Sequence, residues 1–564
     1  VAQASGDEPA PSRAPWLLYA GLGAVVWGLF VPDQGLWHDD VQNLFRAYVA
    51  PGRGEGWFPA IATPTRRLLG LPFLAALASG HPVLALHVLS GLAWLATGVL
   101  ADRLARRVWP RVTAAAPLAG ALTLCATPDF FTDAPLAVAY QLSIVAYLGA
   151  LLLGLRFLQT GSRAALVASP VCLSIALWTA DAALAAWALS PLVWLASPGT
   201  RGRRLWALAL AWFLVPVPYL VLVIRQLTGG GGYLRDALVP LGAAAWLRRC
   251  AALLVWNVTP WRWGFDRPLW FPSTGTVVPQ AVRIALAAAA GAIAAFAMLR
   301  KGAPRADART GGAGGALACV ALAAATNVAF ASVQLSDLFC RTHLLARVFV
   351  ALALAWCAAW AWARATTLGG RVLVPAAVAA WLALGVAGAL ERQDYFVGYT
   401  RAHRQELESL LAAVPGLAPD AHLLLRVPPH RTYLATEAGY LARAWATLLY
   451  EDSSVECRVF LWSSSRPTTC RADGDGFECR GERSPDCQRR DGRETERLPY
   501  DRLVLVEYDA ARNAYVLAPE LPADARSLAG ARYQPHALLT SRPRTRLARA
   551  LLEPTGGLAD RLWP

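Results

Sequence analysis

The chain has 564 residues, of which 56% are hydrophobic and only 16% charged. Soluble domains carry roughly 25% charged residues, and the deficit lies in long apolar runs within the first 390 residues, which excludes a water-soluble globule for that stretch. The formal charge of +15 comes from arginines at the ends of those runs rather than along one face, which excludes a nucleic-acid-binding surface and points to a membrane.

A helix needs about 20 apolar residues to cross the hydrocarbon core, and the runs predict about eleven spans. In chain order they fall at residues 16–31, 82–100, 112–127, 136–155, 164–180, 182–197, 205–224, 281–299, 315–333, 344–363 and 372–390. Residues 16–31 are read as a first span rather than a signal-peptide core, because no small-residue cleavage site follows.

Orientation follows from arginine. One set of short connections carries Arg103, Arg106, Arg107 and Arg111, then Arg156 and Arg163, then Arg201, Arg203 and Arg204. It continues with Arg300, Lys301, Arg305 and Arg309, and ends with Arg364 and Arg371. This set marks the cytoplasmic face. The alternate loops 32–81, 128–135, 225–280 and 334–343 hold the acids, and an odd number of spans leaves the tail outside.

The tail, residues 391–564, reads as a small α/β domain: a helix over 400–413, strands at 421–427, 457–462, 502–508 and 514–518, and a turn at 509–513. Cys457, Cys470, Cys479 and Cys487 lack the paired close spacing of a zinc site. In an oxidising compartment they form disulfides, with three pairings open. The six other cysteines lie in or beside apolar runs, where Cys behaves as a small hydrophobe.

The first outer loop is the most informative stretch: Trp37, His38, Asp39 and Asp40 precede an amphipathic segment over 41–50. Carboxylates at a lipid boundary are costly unless paired or used, and two neighbouring acids can divide base and electrostatic work. The competing reading is that one of them caps the helix that follows. Arg66 and Arg67 suit a phosphate, because a guanidinium holds two oxygens and keeps its proton, or they snorkel to headgroups. His87 lies inside a span, as a functional group or an interhelical hydrogen bond. Asp133 and Asp181 sit at outer span ends, as acceptor or metal ligands or as caps. Arg341 and His343 lie between two spans as a phosphate site. Gly229 to Gly232, followed by Trp246, Trp256, Trp261, Trp263 and Trp270, reads either as a gating loop or as an aromatic belt on a re-entrant segment.

The order of these features resembles the GT-C membrane glycosyltransferases, in particular the protein O-mannosyltransferase-like branch. Thr65-Arg66-Arg67-Leu68 stands where that branch has Arg-Pro-Leu, and Ser79-Gly80-His81-Pro82 stands at its Gly-x-x-Pro turn. His87 and Ser90 stand in its His-Asn stretch, with Trp94 replacing a second His. Phe131-Thr132-Asp133-Ala134, Trp178-Thr179-Ala180-Asp181 and Cys340-Arg341-Thr342-His343-Leu344 resemble its Thr-Glu-Ala, Ser-Lys-Glu and Glu-Arg-Tyr-Leu-Tyr. The likeness covers about residues 15–350 and leaves the tail unmatched.

The resemblance implies an all-α polytopic GT-C-like domain over 1–390 in a bacterial inner membrane; the periplasmic α/β domain that follows is read from the tail's own pattern and from the arginine placement. The resemblance also implies sugar transfer from a polyprenyl-phosphate carrier to an extracytoplasmic acceptor, with Asp39 or Asp40 as base. No cofactor is required by it beyond the open alternative of a divalent metal. A catalytically inactive scaffold for envelope assembly and a lipid or solute transporter are the other readings. A transporter predicts duplicated halves with broken spans, which the sequence does not clearly contain. A Walker loop, a dinucleotide glycine pattern, a His-Glu-x-x-His motif and a Gly-x-Ser-x-Gly elbow are absent.

Overall fold

The computed structural model describes residues 14–53, 66–129, 132, 137–198, 202–228, 241–263, 276–301, 313–331, 343–427, 439–463, 469–480, 495–553 and 556–563. It is largely α-helical, with two small sheets near the C-terminus. The helices that carry the argument are α1 (Ala14–Gly23), α2 (His38–Val49), α3 (Leu71–Ser79), α4 (Pro82–Val108), α5 (Ala115–Cys125), α6 (Ala137–Thr160) and α7 (Arg163–Thr179). They continue with α8 (Ala182–Trp187), α9 (Pro191–Leu195), α10 (Gly202–Leu214), α11 (Val217–Thr228), α12 (Ala243–Asn257), α13 (Gln280–Lys301) and α14 (Ala313–Phe330). Then come α15 (His343–Arg364), α16 (Leu368–Ala413), α17 (Gly439–Tyr450), α18 (Ala523–Ala529), α19 (Arg546–Leu552) and α20 (Leu558–Leu562).

Among the described residues, seven helices are long and apolar enough to cross a membrane, not about eleven: Trp16–Asp33, Pro82–Val108, Ala137–Thr160, Gly202–Thr228, Gln280–Leu299, His343–Arg364 and Leu368–Ala413. The shortfall has a local cause. Apolar stretches expected to span at 112–127, 164–180 and 315–333 form the shorter helices Ala115–Cys125, Arg163–Thr179 and Ala313–Val328. The stretch 182–197 is cut into α8 and α9 by Pro191, which lacks the N–H that a continuous helix needs there. Loop 32–81 is not all connection: it contains an apolar helix, Arg67–Ser79.

Helix α16 runs 46 residues, about 69 Å at 1.5 Å per residue, more than twice the ~30 Å hydrocarbon thickness. It therefore continues from the bundle into the C-terminal unit. There β1 (His422–Val427), β2 (Val459–Ser463), β3 (Thr469–Asp473), β4 (Gly476–Arg480), β5 (Thr495–Pro499), β6 (Leu503–Asp509) and β7 (Ala514–Leu517) make two sheets, β2-β1-β6-β7 and β3-β4-β5. The four strands anticipated from sequence are the first sheet. The strands β1, β2 and β6 are parallel, with α17 between β1 and β2, while β7 returns antiparallel to β6.

Side-chain alternation in β1 and β6 divides the core. Leu423, Leu425, Val504 and Val506 face one cluster, whereas Leu424, Leu503 and Leu505 face the other, against Phe477 and Leu498 of the second sheet. The first of these clusters also holds Val41 and Leu44 of α2, Phe73 of α3, Leu86 of α4 and Val138 of α6. One continuous core thus joins the C-terminal unit to one end of the helical bundle. The chain's last helix docks there too. Asp33, buried at the end of the first span, accepts the backbone N–H groups of Ala559 (2.8 Å) and Asp560 (3.2 Å). Arg401 on α16 pairs with Asp560 at 3.2 Å.

Candidate functional site

The end of the bundle that meets the C-terminal unit is crossed by buried polar links. On α4, His87, Ser90 and Trp94 share one face by their i, i+3, i+7 spacing. The His87 Nε2–H donates to the Gln34 carbonyl at 3.0 Å, because a carbonyl can only accept. Ser90 donates to Gln141 Oε1 (2.8 Å), and Gln141 passes on to the Thr132 carbonyl (3.0 Å). Trp94 Nε1 donates to the Leu124 carbonyl at 3.1 Å. The positions that stand in the His-Asn stretch therefore brace loops and helices, and His87 bonds a loop carbonyl rather than a second helix.

Two guanidiniums lie deeper. Arg347 on α15 is 1% exposed and Arg392 on α16 2% exposed. The Arg347 guanidinium stacks 3.4 Å from the centre of the Trp94 ring, and its Nη1 donates to the Ala126 carbonyl at 3.3 Å. Arg392 donates to the next carbonyl, that of Thr127. The same loop carries the fully buried Asp129. Both arginines therefore converge on the 126–129 loop. Nearby on α16, Glu391 and Asp394 pair with the buried Arg283 of α13, the second at 3.4 Å. Asp394 also accepts the N–H groups of Val277 (2.8 Å) and Val278 (2.6 Å). Removing such charges from water costs several kcal/mol per ion, and an ionisable group inside a membrane bundle is functional by default.

His343, wholly buried at the start of α15, accepts a hydrogen bond on Nδ1 from the Asn257 amide at 2.8 Å, because an amide nitrogen only donates. Trp256 and Trp263, expected at the interface or in a gate, are instead buried in the bundle, and Trp256 donates to the Pro128 carbonyl at 2.7 Å. Their indoles wall the same loop.

The acid-bearing turn reaches this region through α16. The Trp37 ring packs 4.4 Å from Tyr399, 4.9 Å from Phe396 and 6.4 Å from Tyr395. Arg392, Tyr395, Phe396 and Tyr399 lie on one helical stripe by their 3–4 residue spacing, so one face of α16 carries both the buried Arg392 and the seat of Trp37. The Asp40 carboxylate, fully buried, accepts the Trp37 N–H at 2.8 Å. This is the capping role weighed against catalysis, and Asp40 fills it. Asp39 is in the first turn of α2; its side chain lies outside the described residues.

Arg66 and Asp181, read separately in the sequence, are an ion pair, with Arg66 Nε at 2.9 Å from Asp181 Oδ2. Tyr219 of α11 donates to the other Asp181 oxygen at 2.8 Å, and Arg66 donates to the Tyr140 hydroxyl at 3.2 Å. Both oxygens of Asp181 are thus engaged by side chains, one by Arg66 and one by Tyr219. Arg67 diverges from its neighbour. It is exposed and lines a 360 Å³ groove with Leu68, Val171, Ile175, Trp178 and Val215. The groove walls are almost wholly apolar, as an isoprenoid or acyl chain requires.

Asp133 and Arg341 lie outside the described residues, as do Gly229 to Gly232, Trp270 and Cys487. Among the described residues no cluster of His, Cys, Asp or Glu could hold a metal ion. In the tail, Cys470 and Cys479 face each other across β3 and β4 and form a disulfide, and Cys457 is disulfide-bonded as well.

Sequence reasoning missed Arg347, Arg392, Arg283 and Asp394. The signal was present for two of them: Arg347 sits three residues inside an apolar run, and Arg392 lies two residues past the end of the run 372–390. Arginines in short connections and in the outer loops (Arg66, Arg67, Arg341) carry the sequence reading, and those inside or just past an apolar run do not.

No protein-family model matches the chain, and no curated protein matches it. Among solved structures, it is similar to ArnT from Cupriavidus metallidurans bound to undecaprenyl phosphate, with 15% identity, 73% of this chain and 82% of that chain covered, and a TM-score of 0.43. The apo state of the same protein gives 14% identity, 74% and 83% coverage, and a TM-score of 0.43. Likeness at this level carries no argument about the site.

Proposed function

We propose that this chain is a multi-pass GT-C-like glycosyltransferase of the bacterial inner membrane. It moves a sugar from a polyprenyl-phosphate carrier to an extracytoplasmic acceptor, with residues 391–564 on the periplasmic side. One observation carries the reading: the acid-bearing first turn of α2 and the buried Arg392 share a face of α16, and Arg347 converges with Arg392 on one loop. All of this lies at the end of the bundle away from the arginine-rich connections.

The chemistry follows from the parts. An acceptor hydroxyl attacks the anomeric carbon and gives its proton to a carboxylate. The bond from that carbon to the carrier phosphate breaks, and its electron pair stays on the phosphate oxygen. Asp39 is the base in this reading, and Asp40 holds the turn that presents it. Arg347 and Arg392 meet the charge that grows on the departing phosphate, in a water-poor site where a fixed cation counts for most. Arg66 and Arg67 place the carrier, whose isoprenoid chain runs along the apolar groove beside Trp178.

A second reading, a catalytically inactive scaffold, is favoured by the capping bond of Asp40 and by the brace made by His87. One assay separates the two. Purified protein in liposomes is given radiolabelled polyprenyl-phosphate sugar and a membrane extract. Transfer falls at least about a hundredfold in Asp39→Asn, while Asp40→Asn lowers the yield of folded protein first. Transfer unchanged in Asp39→Asn, or absent from wild type with every carrier tested, removes the enzymatic reading.

A further inference from the structure

At the arginine-rich end of the bundle, a cavity of 950 Å³ opens between α1, α4 and α6. Its charged wall carries Arg103, Arg106 and Arg107 of α4 and Arg156 of α6, against a single carboxylate, Asp102. That carboxylate is already committed. Arg106 holds both its oxygens, at 2.8 and 3.0 Å, and the Tyr19 hydroxyl donates to one of them at 2.9 Å. Gly120 on α5 makes this possible, because a Cβ there would collide with the Tyr19 ring.

Three positive charges are left over. Arg107 bonds the neutral Gln159 side chain at 2.6 Å, which satisfies a donor without cancelling the charge. Arg103 and Arg156 are exposed, and among the described residues neither has an acidic partner. About one turn along the same helices the lining is apolar, formed by Val99 and Leu100 of α4 and by Leu152 and Leu153 of α6, and Trp16 lines the cavity as well. A cationic rim above a hydrocarbon wall complements an amphiphile with an anionic head.

We infer that this cavity is a binding site for an anionic phospholipid of the cytoplasmic leaflet, its phosphate held by Arg103, Arg107 and Arg156 and an acyl chain laid against Leu152 and Leu153. Basic pockets between transmembrane helices on the cytoplasmic side select anionic headgroups in this way. The site is remote from the proposed carrier site and rests on that reading only for the naming of the leaflet. Lipid retention is measured without any transfer reaction, so the failure of one proposal leaves the other standing.

The test uses the full chain reconstituted in nanodiscs of equal parts phosphatidylglycerol and phosphatidylcholine, then extracted in mild detergent, with retained lipid counted by native mass spectrometry. Wild type keeps phosphatidylglycerol in preference to phosphatidylcholine. The double variant R103Q/R156Q loses that preference by about twenty-fivefold, roughly fivefold for each guanidinium. The charge-conserving R103K/R156K keeps most of it, which separates lost charge from lost folding. R203Q, an exposed arginine at the same end but outside the cavity, behaves as wild type. Equal retention of the two lipids by wild type overturns the inference, as does an R103Q/R156Q protein that holds phosphatidylglycerol as wild type does. So does an R203Q protein that loses lipid to the same extent. Full displacement by millimolar glycerol phosphate, which has no acyl chain, overturns it as well.

Discussion

The two ends of the helical bundle treat the same side chain in opposite ways. Toward the arginine-rich connections, Arg103, Arg156 and Arg203 are exposed. Toward the C-terminal unit, Arg283, Arg347 and Arg392 are buried and fastened to carboxylates, backbone carbonyls and an indole face. An arginine that water can reach costs little to place, so its position by itself demands no use of its charge. A buried one is destabilising by itself and persists where its charge is used.

The largest effect that could break this contrast is at Arg347. Both Arg347→Gln and Arg347→Lys are expected to lower the turnover of a lipid-linked sugar by about 10²–10³, the usual loss when a transition-state donor is removed. Lysine fails because it has neither the planar fork nor the stack on Trp94. The same exchange at Arg203 leaves turnover at the wild-type value. Turnover per folded molecule that is equal in Arg347→Lys and wild type would make the buried arginine purely architectural.

Next in size is a packing test of the loop that the arginines grip. A Cβ at Gly385 of α16 would overlap the Cys125 carbonyl, a backbone atom that cannot swing aside. Gly385→Ala is expected to destabilise the bundle by about 1–3 kcal/mol, read as a lower thermal midpoint in detergent. An unchanged midpoint shows that α5 and α16 are not held this close.

A smaller and more selective effect is expected at the Arg66–Asp181 pair. Arg66→Gln and Asp181→Asn each raise KM for the carrier by roughly tenfold and leave kcat near wild type, about 1.4 kcal/mol of binding. The double variant is no worse than either single one, because the pair acts as a unit. Fully additive losses would mean that the two side chains work independently.

The smallest effect lies in the tail. Burial, helped by Arg458 and Arg502, pushes His422 down from 6.5 to about 4 despite Asp420. The folded state holds it neutral while the unfolded chain binds a proton. The stability it contributes is therefore complete above pH 6.5 and is lost as pH falls toward 4. His422→Asn flattens the acid limb of the tail's unfolding curve, measured against the wild-type profile. Identical pH profiles for the two proteins would remove His422 as the cause.

Long elements with strong periodicity were legible before the structure. The apolar runs marked the seven long helices, and alternation marked β1, β2, β6 and β7, because burial of one face writes itself into neighbouring residues. The strands β3 to β5 escaped, since Thr469 to Asp473 and Thr495 to Pro499 are mostly polar and sit on the outer sheet. At the site, type and position were legible for Arg66, His87, Asp181 and His343, but partnership was not. Arg66 and Asp181 are 115 residues apart, and nothing local in either segment records the other. Asp40 is ambiguous in sequence because a capping acid and a catalytic acid look alike there; the 2.8 Å bond from the Trp37 N–H puts one of its oxygens in the capping role.

The measurement that bears most directly on the central claim is photocrosslinking with a diazirine-bearing polyprenyl phosphate in native-like membranes, with the labelled residues mapped by mass spectrometry. Labels are expected on the groove beside Trp178 and on α15 and α16 near Arg347 and Arg392, and are expected to fade in the presence of excess unlabelled carrier. Labelling confined to the Arg103–Arg156 end, with none at the buried arginines, would contradict the account.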